Sequence, residues 1–190
     1  MPPVLHRARR PRSPGTRYEE LLRARVLAPL GMDESGIQPS TEREARLAPG
    51  YWPNDPEPRA RPRWRFGEVC GFGGMFSSTR DMARYASALL AASDAGPFTA
   101  VTRAVLFTPE ADIGPGQRKA MGWFVSRTAD GGELVGHGGE VDSYSSALAL
   151  DRAHRLGLVV LANRGADSAE RVSRAILALD LAQRLAAPAK

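Results

Sequence analysis

Residues 133–150 read ELVGHGGEVDSYSSALAL. The second half decides the fold class. Tyr144, Ser146, Leu148 and Leu150 alternate with Ser143, Ser145, Ala147 and Ala149, the period of two that a β-strand imposes. ELVGH (133–137) reads as a shorter strand ahead of it. His137 then falls between an apolar run and two glycines, where it is either a working group in a cleft or a turn residue. Working outward, AMGWFVS (120–126) and LGLVVLAN (156–163) also read as strands. The last is continuously apolar, as in a strand covered on both faces. The connections TADGG and DRAHR are too short for crossovers, so these strands are expected to be antiparallel neighbours.

Helical signals flank the strands. Thr16-Arg17-Tyr18-Glu19 has the form of a capping box. Tyr18, Leu21, Leu22, Val26 and Pro29 follow on one face. The helix should stop before Pro29, because proline disfavours helix at the preceding residue, leaving PLGM (29–32) as a turn. Ser78 followed by Asp81 marks another helix start, with Met82, Tyr85, Ala86, Leu89 and Leu90 as its apolar stripe. Thr99–Phe107 reads as a short helix ended by Pro109, and 108–119 as a Gly/Pro loop. Asp167 with Glu170 repeats the capping-box pattern, and Val172, Ala175, Ile176, Leu179 and Leu185 should cover the sheet. Residues 33–66, rich in proline and arginine, read as a long surface excursion whose Tyr51, Trp52 and Trp64 either line a groove or anchor the loop. The fold class is therefore α+β of the α/β sandwich type: an antiparallel sheet covered by helices.

The totals bound the function. The chain has 190 residues, 43% hydrophobic and 25% charged, enough to bury a core. No run approaches the ~18 apolar residues of a membrane span. The net charge of +5 admits an acidic partner. Its basic residues, however, are nearly all dispersed arginines, with Lys119 and Lys190 the only lysines. Residues 1–17 carry five arginines, four prolines and no acid. With no apolar core they are not a secretory signal. Residues 1–16 are read as a disordered or non-native leader rather than a nucleic-acid arm, and 17–190 as one domain. No nucleic-acid partner is expected. A single cysteine, Cys70, excludes an internal disulfide framework, and three scattered histidines give no metal-ligand spacing. No metal or cofactor is expected. CGFGG (70–74) lacks GK[ST] and the third glycine of a dinucleotide fingerprint, so its glycines read as turn residues.

Three blocks stand in order: RYEELLRARVLAPLGM, then GFGGMFSSTRDMARYASALL, then MGWFVS, GHGG and LGLVVLANRG followed by a last helix. Together, across residues 17–186, they resemble the C-terminal part of the serine beta-lactamase-like family, which includes class C beta-lactamases, DD-peptidases (penicillin-binding proteins) and esterases. The resemblance implies a partial beta-lactamase/transpeptidase-like fold lacking its N-terminal half, and acyl transfer through a serine ester. The family uses a Ser-x-x-Lys, a Tyr-x-Asn, and a Lys-Thr-Gly or His-x-Gly on an edge strand. His137-Gly138-Gly139 matches the third. On that reading His137 lines the cleft, where an imidazole holds or passes a proton near neutrality. The glycines admit a substrate carbonyl, and the backbone N–H of Glu140 serves the oxyanion.

The other two motifs are absent. Gly116 stands three before Lys119 and Ala187 three before Lys190, and no tyrosine is followed two residues later by asparagine. Ser143 stands where family members often have glycine, which should narrow the cleft or alter the turn. The expectation is a serine-hydrolase piece inactive on its own, because nucleophile and base act as a unit. The alternative is a non-catalytic pseudoenzyme that binds peptide or acyl ligands. A cysteine hydrolase pairing Cys70 with His137 is a weaker third reading. The partner on the first reading is a small acyl, ester or beta-lactam-like molecule. Relatives are often exported, and no export signal lies in residues 1–17, so the compartment stays open.

Overall fold

The computed structural model describes residues 18–66, 71–128 and 131–179. Six strands form one antiparallel sheet in chain order: β1 (Ala111–Gly114), β2 (Gln117–Ala120), β3 (Trp123–Arg127), β4 (Glu133–Val141), β5 (Tyr144–Asp151) and β6 (Leu156–Ala162). The helices are α1 (Tyr18–Leu22), continued by a π-helical turn at Arg23–Leu27, then α2 (Thr41–Glu44), α3 (Thr79–Leu90), α4 (Ala100–Phe107) and α5 (Ser168–Leu177). This is the expected α+β architecture, an antiparallel sheet covered by helices.

Alternation along β5 explains the layers. Leu148 and Leu150 join Val125, Val135, Trp123, Ala86, Leu89 and Phe107 in the main core, under α3 and α4. Ser145, Ala147 and Ala149 point the other way, toward α5, and are buried as well. Val125 and Val135 are directly paired and fully buried. Each such valine contributes about 1.5–3 kcal/mol by leaving water. Phe107 meets Trp123 edge-on at 5.3 Å, seating α4 on β3.

Helix starts follow local chemistry. Ser78 Oγ accepts from the Asp81 N–H, and Thr99 Oγ1 from the Thr102 N–H, as the sequence indicates. Asp81 does more than mark a start. Its fully buried carboxylate accepts from Glu34 N–H at 2.7 Å and Ser35 Oγ at 2.8 Å and pairs with Arg84 at 2.8 Å. It thereby fastens the 33–35 turn to α3. The first helix ends as the proline predicts, in a turn at residues 28–31, but through a wider ring: Ala28 N–H donates to Arg23 O.

Several expectations are corrected. Residues 108–119 are not a loop; they contain the β1–β2 hairpin, with Ala111 opposite Lys119. All four β1 residues are exposed, so no apolar alternation marks the strand. AMGWFVS is broken by a turn at Met121–Gly122 into the end of β2 and the start of β3. β6 has α3 against one face and α5 against the other, yet its residues are only partly buried because it is an edge strand. On α5 the buried positions are Ala169 and Ser173, while Val172 is 48% exposed. The predicted Thr16 cap, the 1–16 leader, Cys70 and Leu185 lie outside the described residues.

The excursion is an anchored loop. Tyr51 N–H donates to Asn163 O at 2.9 Å, and Asn163 Nδ2 donates to Pro49 O at 2.7 Å. Tyr144 Oη donates to Ala48 O at 2.8 Å. Trp52 carries the Arg61 guanidinium at 3.8 Å, and Trp64 stacks on Phe66 at 4.8 Å. Ser143 is buried beneath this loop, where a Cβ on Gly50 would lie 2.6 Å from its hydroxyl.

Candidate functional site: the open edge of β4

The decisive stretch does not end at His137. β4 runs on through Gly138, Gly139 and Glu140 to Val141, and the turn at Asp142–Ser143 leads into β5. Asp142 takes φ +35, a left-handed conformation that short hairpin loops favour. The register pairs His137 with Leu148, Gly138 with Ala147, Gly139 with Ser146 and Glu140 with Ser145. On the other side β3 pairs only Glu133–Gly136. Among the described residues, 137–141 therefore have a strand partner on one side alone. The four residues singled out from sequence lie consecutively on this open edge.

Internal packing already requires part of the glycine pattern. A Cβ on Gly136 would sit 2.9 Å from Leu148 O, an immovable backbone atom, and one on Gly139 would sit 2.8 Å from Ser146 Oγ. Gly138 faces α5, with Glu170 Oε2 at 3.3 Å from a built Cβ. Approach of a substrate is thus not needed to explain Gly136, whereas at Gly139 the Ser146 hydroxyl can rotate away.

Glu140 has a side-chain role that the sequence concealed. Its carboxylate accepts from Ala166 N–H at 2.8 Å and Asp167 N–H at 3.1 Å. These hydrogen bonds, Asp167 first, hold its pKa below the ordinary carboxylate value. Ala166 and Asp167 both take φ +54, a paired left-handed conformation that turns both N–H groups toward one acceptor. The expected Asp167–Glu170 capping box does not form, since the Asp167 side chain makes no cap. Instead Ser145 Oγ, directly across the ladder from Glu140, accepts from Ala169 N–H at 3.0 Å. Gly165 closes the joint: any Cβ there would meet Asp142 O at 2.3 Å. The β4–β5 hairpin is therefore bolted to the N-terminus of α5.

One further side chain meets His137, and a second packs on that one. Phe124 pairs across the ladder with Gly136, the residue before His137. The Phe124 ring lies 5.6 Å from the His137 imidazole, and Lys119 Nζ lies 3.5 Å from the ring centroid. The sequence reading missed both, because Lys119 sat in a supposed loop and its pairing with Phe124 depends on the unrecognised turn at 121–122. Among the described residues no group of three or more His, Cys, Asp or Glu is placed to hold a metal, and no helix is long and apolar enough to cross a membrane.

The beta-lactamase family model matches residues 4–183, and the chain belongs to this family of serine hydrolases. An unguisins hydrolase from Aspergillus campestris is 31% identical over 155 residues, spanning 76% of this chain and 28% of that protein. In structure, the chain is similar to the octameric penicillin-binding protein homologue from Pyrococcus abyssi, with TM-score 0.71 and 24% identity over 86% of this chain and 37% of that one. It is also similar to a class C beta-lactamase from Rhodobacter sphaeroides, with TM-score 0.70 and 21% identity over 91% of this chain and 56% of that one. The chain thus spans less than a third of the curated relative and between about a third and somewhat over half of these two solved structures.

Proposed function

We propose that residues 17–190 are the C-terminal part of a serine-hydrolase domain of the beta-lactamase, penicillin-binding or esterase type, and that β4 is one wall of its acyl-transfer cleft. The observation that carries this reading is the open edge from His137 to Val141, with an imidazole at its start and unhindered backbone beyond. In the proposal His137 handles a proton beside the scissile group, and the Glu140 N–H takes part in holding the oxyanion. Gly138 and Gly139 keep the strand bare between them. The nucleophile and its lysine lie on polypeptide that this chain does not contain, since Ser-x-x-Lys and Tyr-x-Asn are absent from all 190 residues.

The chain alone should therefore form no acyl-enzyme. Incubation with a fluorophosphonate and, separately, with a penicillin, followed by intact-mass measurement, is expected to give no mass gain. A serine found labelled by peptide mapping would overturn the assignment of inactivity. Reading the coding DNA upstream of Met1 in three frames for Ser-x-x-Lys and Tyr-x-Asn is the complementary test of the fragment reading.

A further inference from the structure

Away from β4, an open groove of about 370 Å³ lies where the end of α3, one face of α4 and the β5–β6 turn at residues 152–155 meet. It sits at the end of β5 far from the β4–β5 turn, because Asp151 stands opposite Leu134 while Tyr144 stands opposite Val141. Its lining is leucine, alanine and arginine alone: Leu90 and its neighbours from α3, Ala100, Arg103 and Ala104 from α4, and Arg152 and Arg155 from the turn. Arg103 is buried, and its guanidinium donates to Phe98 O at 2.5 Å and Ser93 O at 3.1 Å. Carbonyls satisfy those donors without neutralising the charge. The acids near by are engaged or shared. Asp94 accepts from the Ala100 N–H at 2.9 Å. Asp151 pairs with His154 at 2.8 Å. Glu133 lies 3.7 Å from Arg152 but 2.6 Å from Arg118, so one carboxylate serves two guanidiniums. The Arg155 side chain has no hydrogen bond or ion pair among the described residues. Its backbone holds φ +56, a conformation that glycine adopts freely and arginine does not. The carbonyl end of α3 and the amide end of α4 meet here and offset one another. The groove therefore keeps a positive excess that no carboxylate in its wall removes.

The shape narrows what such a charge would hold. Leu90 and Arg155 also line a second groove that runs on between α3 and β6, past Ala86 and Leu158, with Thr79 and Ser87 among its lining. Positive charge thus gathers at one end of a mainly apolar trough. We propose that this trough binds an anionic amphiphile, an alkyl chain ending in an oxyanion, of which a fatty acid is the simplest. The head meets Arg103, Arg152 and Arg155, whose planar N–H forks suit a carboxylate. The chain lies along Leu90, where leaving water favours it in proportion to the apolar area covered. The site is separate from β4 and stands whether or not β4 is a cleft wall.

The test uses the intact 190-residue chain and three probes: decanoate, its uncharged analogue decanol, and inorganic phosphate. Amide hydrogen exchange, read by mass spectrometry at low protein concentration, is followed as each probe is titrated. Decanoate should protect residues 89–92 and 152–155 in a saturable way, about tenfold more tightly than decanol, with the preference weakening as salt is raised. Arg152 and Arg155 are exposed, so replacing them should leave the fold intact. The double variant Arg152→Gln, Arg155→Gln should bind decanoate no better than decanol, with exchange in the unliganded chain unchanged outside the turn. The double variant Arg152→Lys, Arg155→Lys should keep most of the preference. Equal affinity for decanoate and decanol, protection confined to β6, no protection at all, or a preference that survives the glutamine variant would each overturn the proposal. Phosphate protecting the same segments as tightly as decanoate would overturn it too, because the alkyl chain would then contribute nothing.

Discussion

At the scale of single residues, Glu140 shows how one position serves two purposes. Its backbone belongs to the open edge, and its side chain belongs to α5. Because its folded pKa is depressed, the carboxylate's contribution is fully present above the ordinary value of about 4.5 and is lost as pH falls through the lower folded value. The group is solvent-exposed, so screening keeps that contribution small. Glu140→Ala is expected to cost about 0.5 kcal/mol, the low end for a helix cap. Denaturant unfolding at pH 7 and pH 3 checks this. The gap between variant and parent should be larger at pH 7 than at pH 3, and an equal gap at both would show that the ionised carboxylate contributes nothing. His137, Gly138, Gly139 and Glu140 are neighbours in the sequence and so lie consecutively on β4 whatever their role. The Glu140 cap was not legible in the sequence, since its acceptor and donors are 26 and 27 residues apart and the donors are backbone groups without a side-chain signal. Asp167 and Glu170 offered a nearer and misleading pattern.

At the scale of elements, the same division holds between what is local and what is paired at a distance. α3 and α4 could be placed to within a residue, because Ser78 and Thr99 cap their own helices. β5 showed its period plainly. β1 did not, because a strand exposed along its whole length needs no apolar residue on either face. Its hairpin then hid the Lys119–Phe124 pairing. Asp81 is the reverse case, a visible helix marker whose larger role lies outside the helix. Removing its carboxylate takes the acceptor from the Glu34 N–H and from the buried Ser35 hydroxyl, which keeps Ser77 Oγ at 2.7 Å, while Arg84, 47% exposed, turns to solvent. Asp81→Ala is expected to destabilise the chain by about 2–4 kcal/mol, since a buried hydrogen-bonded charge cannot be deleted without stranding its partners. Asp81→Asn keeps acceptor capacity and should cost less. Equilibrium urea unfolding measures both. A loss under about 1 kcal/mol for the alanine variant would show that the 33–35 turn is not held by this residue.

At the scale of the whole molecule, the sheet has no further strand at either edge among the described residues, and the two edges differ in kind. β1 is short, only four residues, and carries the charge of Asp112, features that discourage pairing with another chain. β6 is seven residues long, LGLVVLA, with no charge inside it, and the register leaves it unpaired on the side away from β5. Apolar surface continues on both sides of that edge. An open groove of about 470 Å³ lies between α3 and β6, where Ala83, Ala86, Leu90, Leu158 and Val159 meet Thr79, Ser87 and Arg155, and Val172 of α5 stands exposed on the opposite face. An edge of this composition is a template for strand addition. The proposed fragment reading supplies the reason, because a longer family domain has more polypeptide with which to cover it. Alone, the chain should associate through β6 as concentration rises. Light scattering coupled to size exclusion is expected to show growth in mass from the low to the high micromolar range, with thermal unfolding that is broad and poorly reversible. Leu161→Lys places a charge at an exposed position of the strand. It should reduce the association while changing monomer stability by no more than about 0.5 kcal/mol, as surface substitutions do. A monodisperse monomer with a sharp, reversible and concentration-independent transition would show instead that the β6 edge needs no cover.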